Sequence, residues 1–328
     1  MDAVRKMTIS ISIFFIFCVS VVLVSDNLDY LKQTFGVNKP LGVTKEVSQE
    51  FIGAVFFSVD QRNQPMEVNS IKVIINNTDG KIFLEKPFGS IWSSRENVTY
   101  KGDRGEVIPL KDQINLFGSV KLEKPDLKIT GDEMMIFQAR EKAFLKESVK
   151  TRVRTKKGNH VKIESRDAFF DGKDGIVRYE KSIRGKISFN NKSFSSPMLI
   201  QSEKLDYHIN SGKMLLNENV KIDRENVRLK AQRGSIFLNN ESKKVSYFEL
   251  NDDVRFSETF IASNGISVLR TGLSQKLEGF GFDRKLVFSG FPKIKQLDDL
   301  IQGNKIVIRE ANELVEIINT NSKFKFNK

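Results

Sequence analysis

The chain has 328 residues and is 39% hydrophobic, enough to bury a sizeable core, so its composition excludes a disordered protein. Its 53 lysines and arginines outnumber its 41 acidic residues and give a formal net charge of +12. One cysteine excludes an internal disulfide framework. Together with two histidines, it also leaves too few ligands for a zinc site built from Cys and His.

Residues 7–24 form an uncharged, mostly apolar segment, MTISISIFFIFCVSVVLV. As a helix this segment would extend roughly 27 Å, close to the ~30 Å of a bilayer's hydrocarbon core. Arg5 and Lys6 precede it, so the positive-inside rule predicts that residues 1–6 form a cytoplasmic tail and that the rest is exported. We expect an uncleaved transmembrane anchor. A cleaved signal peptide is the alternative, although residues 22–24 show no A-x-A cleavage pattern.

Beyond residue 60 the sequence repeats one pattern eight times, which makes the repeat the main signal for the fold. An apolar residue is followed two positions later by a small residue, and apolar or small residues come three and five positions after that. The small residues that define the copies are Ser70, Gly102, Gly131, Ser165, Ser202, Ala231, Ser263 and Gly303. Spacings of two place side chains on one face of a strand, and the step of three predicts a β-bulge at the small residue.

Each copy also has a second half. In the first five copies, apolar residues follow the small residue at 14 and 18 positions, as Leu145 and Val149 follow Gly131. Turn-forming segments such as residues 171–175 separate the halves, so each copy predicts a β-hairpin. Eight hairpins predict an all-β protein of about sixteen antiparallel strands that close as a jelly roll or sandwich. The only helical patches expected are short, near residues 29–35 and 296–300.

The polar segment at residues 188–197 is the best candidate for a boundary between two halves of the exported part. A boundary there would separate residues 45–195 from residues 196–328. A long loop inside one continuous roll fits the same segment, so the sequence leaves open whether there is one jelly roll or two in tandem.

An apolar N-terminal segment followed by units of apolar-x-small-x-x-apolar and then Leu-x-x-x-Val resembles the periplasmic bridge proteins of lipopolysaccharide export, the LptC family and its relatives LptA and OstA. Residues 84–87 and 116–122 resemble the first repeats of LptC, whereas residues 199–256 are more similar to LptA. The chain looks longer than an LptC-like protein needs. The resemblance therefore implies an LptC-like β-jellyroll over residues 45–195. It implies an LptA/OstA-like jellyroll, or a continuation of the first, over residues 196–328.

The resemblance implies a protein of the Gram-negative inner membrane, single-pass, with a cytoplasmic N-terminus and most of the chain in the periplasm. Such a protein binds lipopolysaccharide, needs no cofactor, and takes the lipid from an inner-membrane ABC transporter. It passes the lipid to an LptA-like bridge protein or an outer-membrane receiver. An acyl chain exposed to water costs ~0.8 kcal/mol per CH₂, so such a lipid needs a continuous apolar groove.

Two sets of residues are predicted to serve this function. The groove candidates share the inward parity of the repeats and are Ile129, Met134, Ile136, Ile163, Phe170, Tyr207 and Ile236. The candidates for docking by edge-to-edge β pairing lie in the first and last strands and are Phe51, Val55, Phe57, Phe324 and Phe326. Further phenylalanines are numerous enough to line the groove or to fill a core, namely Phe137, Phe144, Phe169, Phe189, Phe237 and Phe248.

No catalytic residue and no metal site are predicted, because His160 and His208 are each isolated and neither a P-loop nor a G-x-S-x-G motif occurs. The positive charge fits a phosphate-bearing lipid or an anionic membrane surface, while export argues against nucleic acid. Lys150, Arg152 and Arg154 share one strand face, expected to be solvated, with contact to lipid phosphate as the alternative. The competing function is a β-repeat scaffold with a closed core and no lipid. A carbohydrate-active enzyme is a third candidate, disfavoured by the single tryptophan.

Overall fold

The computed structural model describes residues 48–59, 65–76, 80–92, 97–137, 141–154, 160–188, 196–239, 242, 244–281, 285–309 and 315–318. Apart from one 3₁₀ turn, Pro109–Lys111, all regular elements in these ranges are strands. In chain order they are β1 (Ser48–Val59), β2 (Pro65–Asn76), β3 (Ile82–Glu85), β4 (Phe88–Trp92), β5 (Asn97–Lys101), β6 (Arg104–Ile108), β7 (Gln113–Glu123), β8 (Leu127–Phe137), β9 (Lys142–Arg154), β10 (His160–Asp171), β11 (Ile176–Ser188), β12 (Met198–His208), β13 (Lys213–Arg224), β14 (Val227–Leu238), β15 (Val245–Ile261), β16 (Ser267–Phe280), β17 (Lys285–Ser289), β18 (Lys293–Gln296), β19 (Asp299–Gln302), β20 (Lys305–Arg309) and β21 (Val315–Ile318).

The strands form one 21-stranded antiparallel sheet in which neighbours along the chain pair with each other. At four positions in the sheet, two short strands lie end to end in place of one long strand, so that both lie beside the same neighbours. These pairs are β3 with β4, β5 with β6, β17 with β18 and β19 with β20. When each such position is counted once and β1 is set aside, sixteen positions remain, as the eight hairpins predict. The all-β, antiparallel prediction is confirmed.

Each long strand from β7 to β16 is kinked near its middle, where the pairing register shifts. Between β8 and β9 the shift falls at Thr130/Glu133, and equivalent shifts recur in the following pairs through β15 and β16. The predicted bulge at the small residue is therefore present. The partner strand bends through two consecutive residues with positive φ, for example Glu147 at 56° and Ser148 at 51° in β9. These two residues account for the four-residue step between Leu145 and Val149.

The small residue is required because the bend of the neighbouring strand comes close to it. A Cβ on Gly131 would lie 3.2 Å from the carbonyl oxygen of Lys146 and 3.4 Å from that of Glu147. In two of the copies with serine at this position, the hydroxyl donates to the carbonyl oxygen two residues later, at 3.0 Å in both Ser165 and Ser274. Such a bond satisfies a carbonyl group that the bulge leaves outside the regular ladder.

The serine geometry corrects two sequence predictions. Ser274 is the small residue of the seventh copy, whereas the predicted Ser263 lies in the exposed turn after β15. The helical patch expected at residues 296–300 is also wrong, because those residues form the end of β18, a two-residue turn and the start of β19. The predicted patch at residues 29–35 and the apolar segment at residues 7–24 lie outside the described residues. In the part of the chain that the structure does describe, no helix has the length and apolar character needed to cross a bilayer.

The sheet runs without interruption across the predicted boundary at residues 188–197. β11 pairs with β12 from Ile176↔His208 to Ile187↔Met198, about as extensively as the strand pairs on either side of it. Residues 45–195 and 196–328 thus share one hydrogen-bonded ladder wherever the structure describes them.

Candidate functional site

The inner face of the kinked sheet forms one apolar interior, and it holds all the predicted groove residues. They are buried at these exposed fractions: Ile129 0%, Met134 2%, Ile136 0%, Ile163 1%, Phe170 4%, Tyr207 0% and Ile236 0%. They occupy alternate positions of β8, β10, β12 and β14, because side chains two apart point to the same face of a strand. The repeat predicts that these side chains point inward, and in the structure they do.

The pairing register aligns the inward-facing residues of successive strands in two rows, one on each side of the kinks. The first row passes through consecutive Cα partners from β7 to β20, namely Ile114, Ile136, Ala143, Phe170, Val177, Tyr207, Met214, Ile236, Phe248, Gly279, Leu286 and Ile308. The second row runs beside it from β7 to β19 through Leu122, Ile129, Thr151, Ile163, Gly185, Ile200, Ile222, Leu229, Phe256, Gly272, Ile294 and Ile301. The interior is thus a continuous apolar strip on both sides of the kinks.

The two sides of the kinked sheet pack against each other through this interior. Phe256, on one side, contacts Phe288, on the other, with ring centroids 5.1 Å apart in an edge-to-face arrangement. Both rings are buried, at 2% and 0% exposure. Main-chain hydrogen bonds join neighbouring strands, whereas across the interior the two sides meet through side chains, so the sides can separate without breaking the ladder.

The interior also contains buried hydroxyl groups. Among the described residues, the hydroxyls of Tyr207 and Ser202 have no hydrogen-bond partner, whereas those of Tyr179 and Thr151 interact with each other. Burial raises the pKa of both tyrosines well above its usual value, so the phenols stay neutral. Tyr100 differs, because its hydroxyl donates to the carbonyl oxygen of Glu67 at 3.1 Å. Unpaired hydroxyls in an apolar interior are costly, and they offer polar contacts to a molecule that enters it.

We expect Tyr207→Phe to raise the free energy of unfolding by about 1 kcal/mol, because it removes a buried hydroxyl that lacks a partner while keeping the ring. Urea unfolding followed by circular dichroism measures the change. Tyr100→Phe is the matched control and should lower stability by a similar amount, since its hydroxyl is bonded. Equal destabilisation by both variants would contradict the prediction.

Most of the other phenylalanines lie on the outer face, which corrects the expectation that they line the groove. Phe137, Phe144 and Phe169 stack across three strands, with centroids 6.3 and 4.6 Å apart, and Phe144 is 42% exposed. The Nζ of Lys142 lies 5.6 Å from the centroid of the Phe169 ring. Phe237 contacts Tyr247 in a similar outer cluster, while Phe248 is buried inside and Phe189 lies outside the described residues.

The predicted docking edge is only partly described. β1 pairs with β2 through one edge, and its other edge has no strand partner in the part of the chain that the structure describes. Its side chains Phe51 and Val55 are 44% and 50% exposed. The backbone of Phe57 lies in the same strand, whereas Phe324 and Phe326 fall outside the described residues. An apolar, partly exposed strand at a sheet edge is a template for pairing with another chain.

One buried ion pair that the repeat pattern did not predict lies inside the strip. Glu258 and Arg270 are Cα partners on β15 and β16, both side chains are fully buried, and the Arg270 Nη1 donates to Glu258 Oε2 at 3.1 Å. Arg270 Nε donates to Gln296 Oε1 at 2.8 Å, and its guanidinium lies 4.4 Å from the centroid of the Phe260 ring. The sequence contained an indication of this pair, because strand alternation places both Glu258 and Arg270 on the inner face, on either side of the same turn. Across the described residues, no cluster of His, Cys, Asp and Glu could hold a metal ion.

Comparison with known proteins gives a family model that matches part of the sequence and several solved structures that are similar to the chain. Residues 199–314 match the family described as "LptA/(LptD N-terminal domain) LPS transport protein". Among solved structures, LptH from Pseudomonas aeruginosa, the "LptA homologous periplasmic component of the conserved lipopolysaccharide transport device", is similar with a TM-score of 0.36 and 11% sequence identity. That likeness covers 40% of this chain and 96% of LptH. The search of curated proteins gave no match. Residues 199–314 are thus similar to the family of the LptA and LptD N-terminal domains, and the match covers about a third of the chain.

Proposed function

We propose that this chain is a periplasmic lipopolysaccharide-binding protein without enzymatic activity that conveys the lipid through its apolar interior. The family match of residues 199–314 supports the transport role. The observation that carries the proposal is the pair of apolar rows that continue from β7 to β19 and β20. A lipid bound anywhere along the strip therefore finds the same apolar surroundings at the next strand.

Carriage requires the two sides of the sheet to separate, because the groove candidates are at most 4% exposed in this structure. Separation exposes contacts such as Phe256 with Phe288 but leaves the main-chain ladder intact. Burying an acyl chain of 12–14 carbons in the interior is favourable by about 10 kcal/mol, at ~0.8 kcal/mol per buried CH₂. The lipid therefore replaces the contacts that opening removes, while the buried Tyr179 and Tyr207 hydroxyls provide polar partners.

The remaining elements of the proposal concern the ends of the chain. Residues 7–24 would anchor the protein in the inner membrane beside an ABC transporter, as the resemblance to LptC implies. The second edge of β1, which has no strand partner among the described residues, would pair with one partner roll through Phe51, Val55 and Phe57. Phe324 and Phe326 would pair with another. The uninterrupted β11–β12 pairing supports one continuous roll over two tandem ones.

A closed-core scaffold is the second candidate, and the near-complete burial of the inner rows favours it. Such a protein would bind partners through its edges and outer face only. The two functions differ in whether lipid reaches the inner face, which can be tested strand by strand.

Photo-crosslinking residues at Ile136 and Phe170 are expected to capture lipopolysaccharide in Gram-negative cells that express the full chain. The matched controls are Met135 and Phe169, each one residue away on the same strand and facing outward. We expect lipid adducts only at the inward positions. Adducts of equal yield on both faces would refute an interior path. Inward positions that capture none, in variants that keep the thermal stability of the parent, would favour the scaffold.

A further inference from the structure

One hairpin extends beyond its neighbours and exposes apolar side chains at its tip. Val227, the first residue of β14, pairs with Glu258, so β15 continues three residues beyond β14 to Ile261. At ~3.3 Å per residue this extension is about 10 Å long, before the turn itself. Ile261 is 75% exposed and Ile266, at the other end of the turn, is 57% exposed.

The turn that presents these isoleucines is ordered by its own hydrogen bonds. The Ala262 N–H donates to the Ile266 carbonyl oxygen, and the Gly265 N–H to the Ala262 carbonyl oxygen, each at 2.9 Å. The Ile266 N–H also donates to Asn264 Oδ1 at 3.0 Å. These hydrogen bonds therefore fix the conformation in which the turn exposes its two isoleucines.

Further exposed apolar residues adjoin the tip. Leu269 and Leu273 lie on the outer face of β16, at 59% and 53% exposure. Because Arg270 pairs with Gln296, Leu269 is placed beside Leu297 in the β18–β19 turn, which is 61% exposed. We call Ile261, Ile266, Leu269 and Leu297 the apolar tip. Contiguous exposed apolar residues of this kind mark contact with a membrane or a protein.

Cations border the apolar tip on the same outer face. They are exposed side chains of β14, β15 and β18, namely Arg228, Lys230, Arg255, Lys293 and Lys295. Lys230 is directly opposite Arg255 in the register, and Arg255 also forms an ion pair with Asp253 at 3.1 Å. The same arrangement recurs farther along this face, where Lys128, Arg152, Lys162 and Lys186 are successive Cα partners. Like charges directly opposite each other are destabilising, and an extended anionic surface relieves their repulsion.

The lipid carried inside cannot be the partner of these cations. Inward and outward side chains alternate, so Lys293 and Lys295 lie on the opposite face of the sheet from the buried Ile294 between them. An apolar tip about 10 Å long bordered by lysines and arginines has the composition of an interfacial membrane anchor, which inserts roughly 5–10 Å between anionic headgroups.

We propose that the β15–β16 hairpin docks on an anionic membrane surface. The apolar tip enters the boundary between headgroups and acyl chains, and the bordering cations contact lipid phosphates. This inference is independent of whether lipid occupies the interior. Docking would hold one end of the strands against a bilayer.

A fluorophore in the turn tests the proposal in the full chain. Cys18 is the only cysteine, so a Cys18→Ser background with Asn264→Cys carries one environment-sensitive label at the tip. Ser211→Cys, in the exposed β12–β13 turn, is the matched control. With the protein reconstituted in vesicles, we expect a blue shift of the tip label in phosphatidylglycerol-rich vesicles, a smaller shift in pure phosphatidylcholine, and none at residue 211. The local label is necessary because residues 7–24 alone are expected to hold the chain on any vesicle.

Charge removal gives the quantitative test. Lys293→Gln with Lys295→Gln should weaken binding of the tip to anionic vesicles roughly twentyfold, at about fivefold per cation. Ile261→Ser with Ile266→Ser should abolish the blue shift. Equal shifts at residues 264 and 211, or equal shifts in anionic and neutral vesicles, would overturn the proposal. A shift that needs no lipid and grows with protein concentration would instead assign the tip to a second copy of the chain.

Discussion

Replacing Glu258 by alanine is expected to lower the free energy of unfolding by about 3–5 kcal/mol, because the change leaves the Arg270 guanidinium buried without its carboxylate. Both side chains are fully buried, so water cannot compensate for the lost 3.1 Å contact. The contact with Gln296 and the Phe260 ring remain, but neither carries a negative charge. Urea unfolding of the full chain, monitored by circular dichroism, measures the loss.

Two further variants show whether the loss comes from the unpaired charge. Glu258→Leu combined with Arg270→Met removes both charges and should recover most of the stability, since well-packed apolar residues replace buried ion pairs at little cost. Glu50→Ala breaks the pair with Lys72 near the sheet edge, where the side chains are 52% and 35% exposed, and should change stability by less than about 1 kcal/mol. A Glu258→Ala variant as stable as Glu50→Ala would show that the buried pair contributes little.

Side-chain parity made much of this fold predictable. The step of three after a small residue can keep both parts of a strand facing inward only if the strand is kinked, and the register shifts at Thr130/Glu133 and its equivalents show that kink. The same parity assigned Ile136 and Phe170 to the inner face. The sequence did not indicate the paired positive-φ residues, such as Glu147 and Ser148, since neither residue type requires that conformation.

The predictions from sequence were wrong where apolar residues lie outside the core. Ile261 and Ile266 stand at the spacing of the repeat, so Ser263 resembled its small residue. In the structure β15 is 17 residues long and these isoleucines are exposed at its tip. Phe144 and Phe169 were predicted to line the groove or to fill the core, and this prediction failed for a different reason. Phenylalanine packs on an outer face when neighbouring rings and cations cover it, and composition alone cannot distinguish that from burial.

Gly279→Val is expected to lower the free energy of unfolding by about 3 kcal/mol through overpacking of the inner row. Gly279 is the Cα partner of Phe248, and a Cβ there would lie 2.0 Å from the Cε1 atom of the Phe248 ring. The ring, which is 5% exposed, therefore occupies the space that a side chain at Gly279 would need. The outward Thr271→Val on the same strand is the control and should stay within about 0.5 kcal/mol of the parent.

A double-mutant cycle distinguishes this packing from a general intolerance of β16 to substitution. Phe248→Ala alone should cost about 3–5 kcal/mol, because it leaves a cavity in the inner row. Gly279→Val together with Phe248→Ala should cost less than the sum of the two single changes by at least about 1 kcal/mol, since the new side chain fills part of the space left by the ring. Denaturant midpoints of the four proteins give the coupling. Strict additivity would mean that ring and glycine do not share this volume, and the continuity of the inner row at β15 and β16 would then lack energetic support.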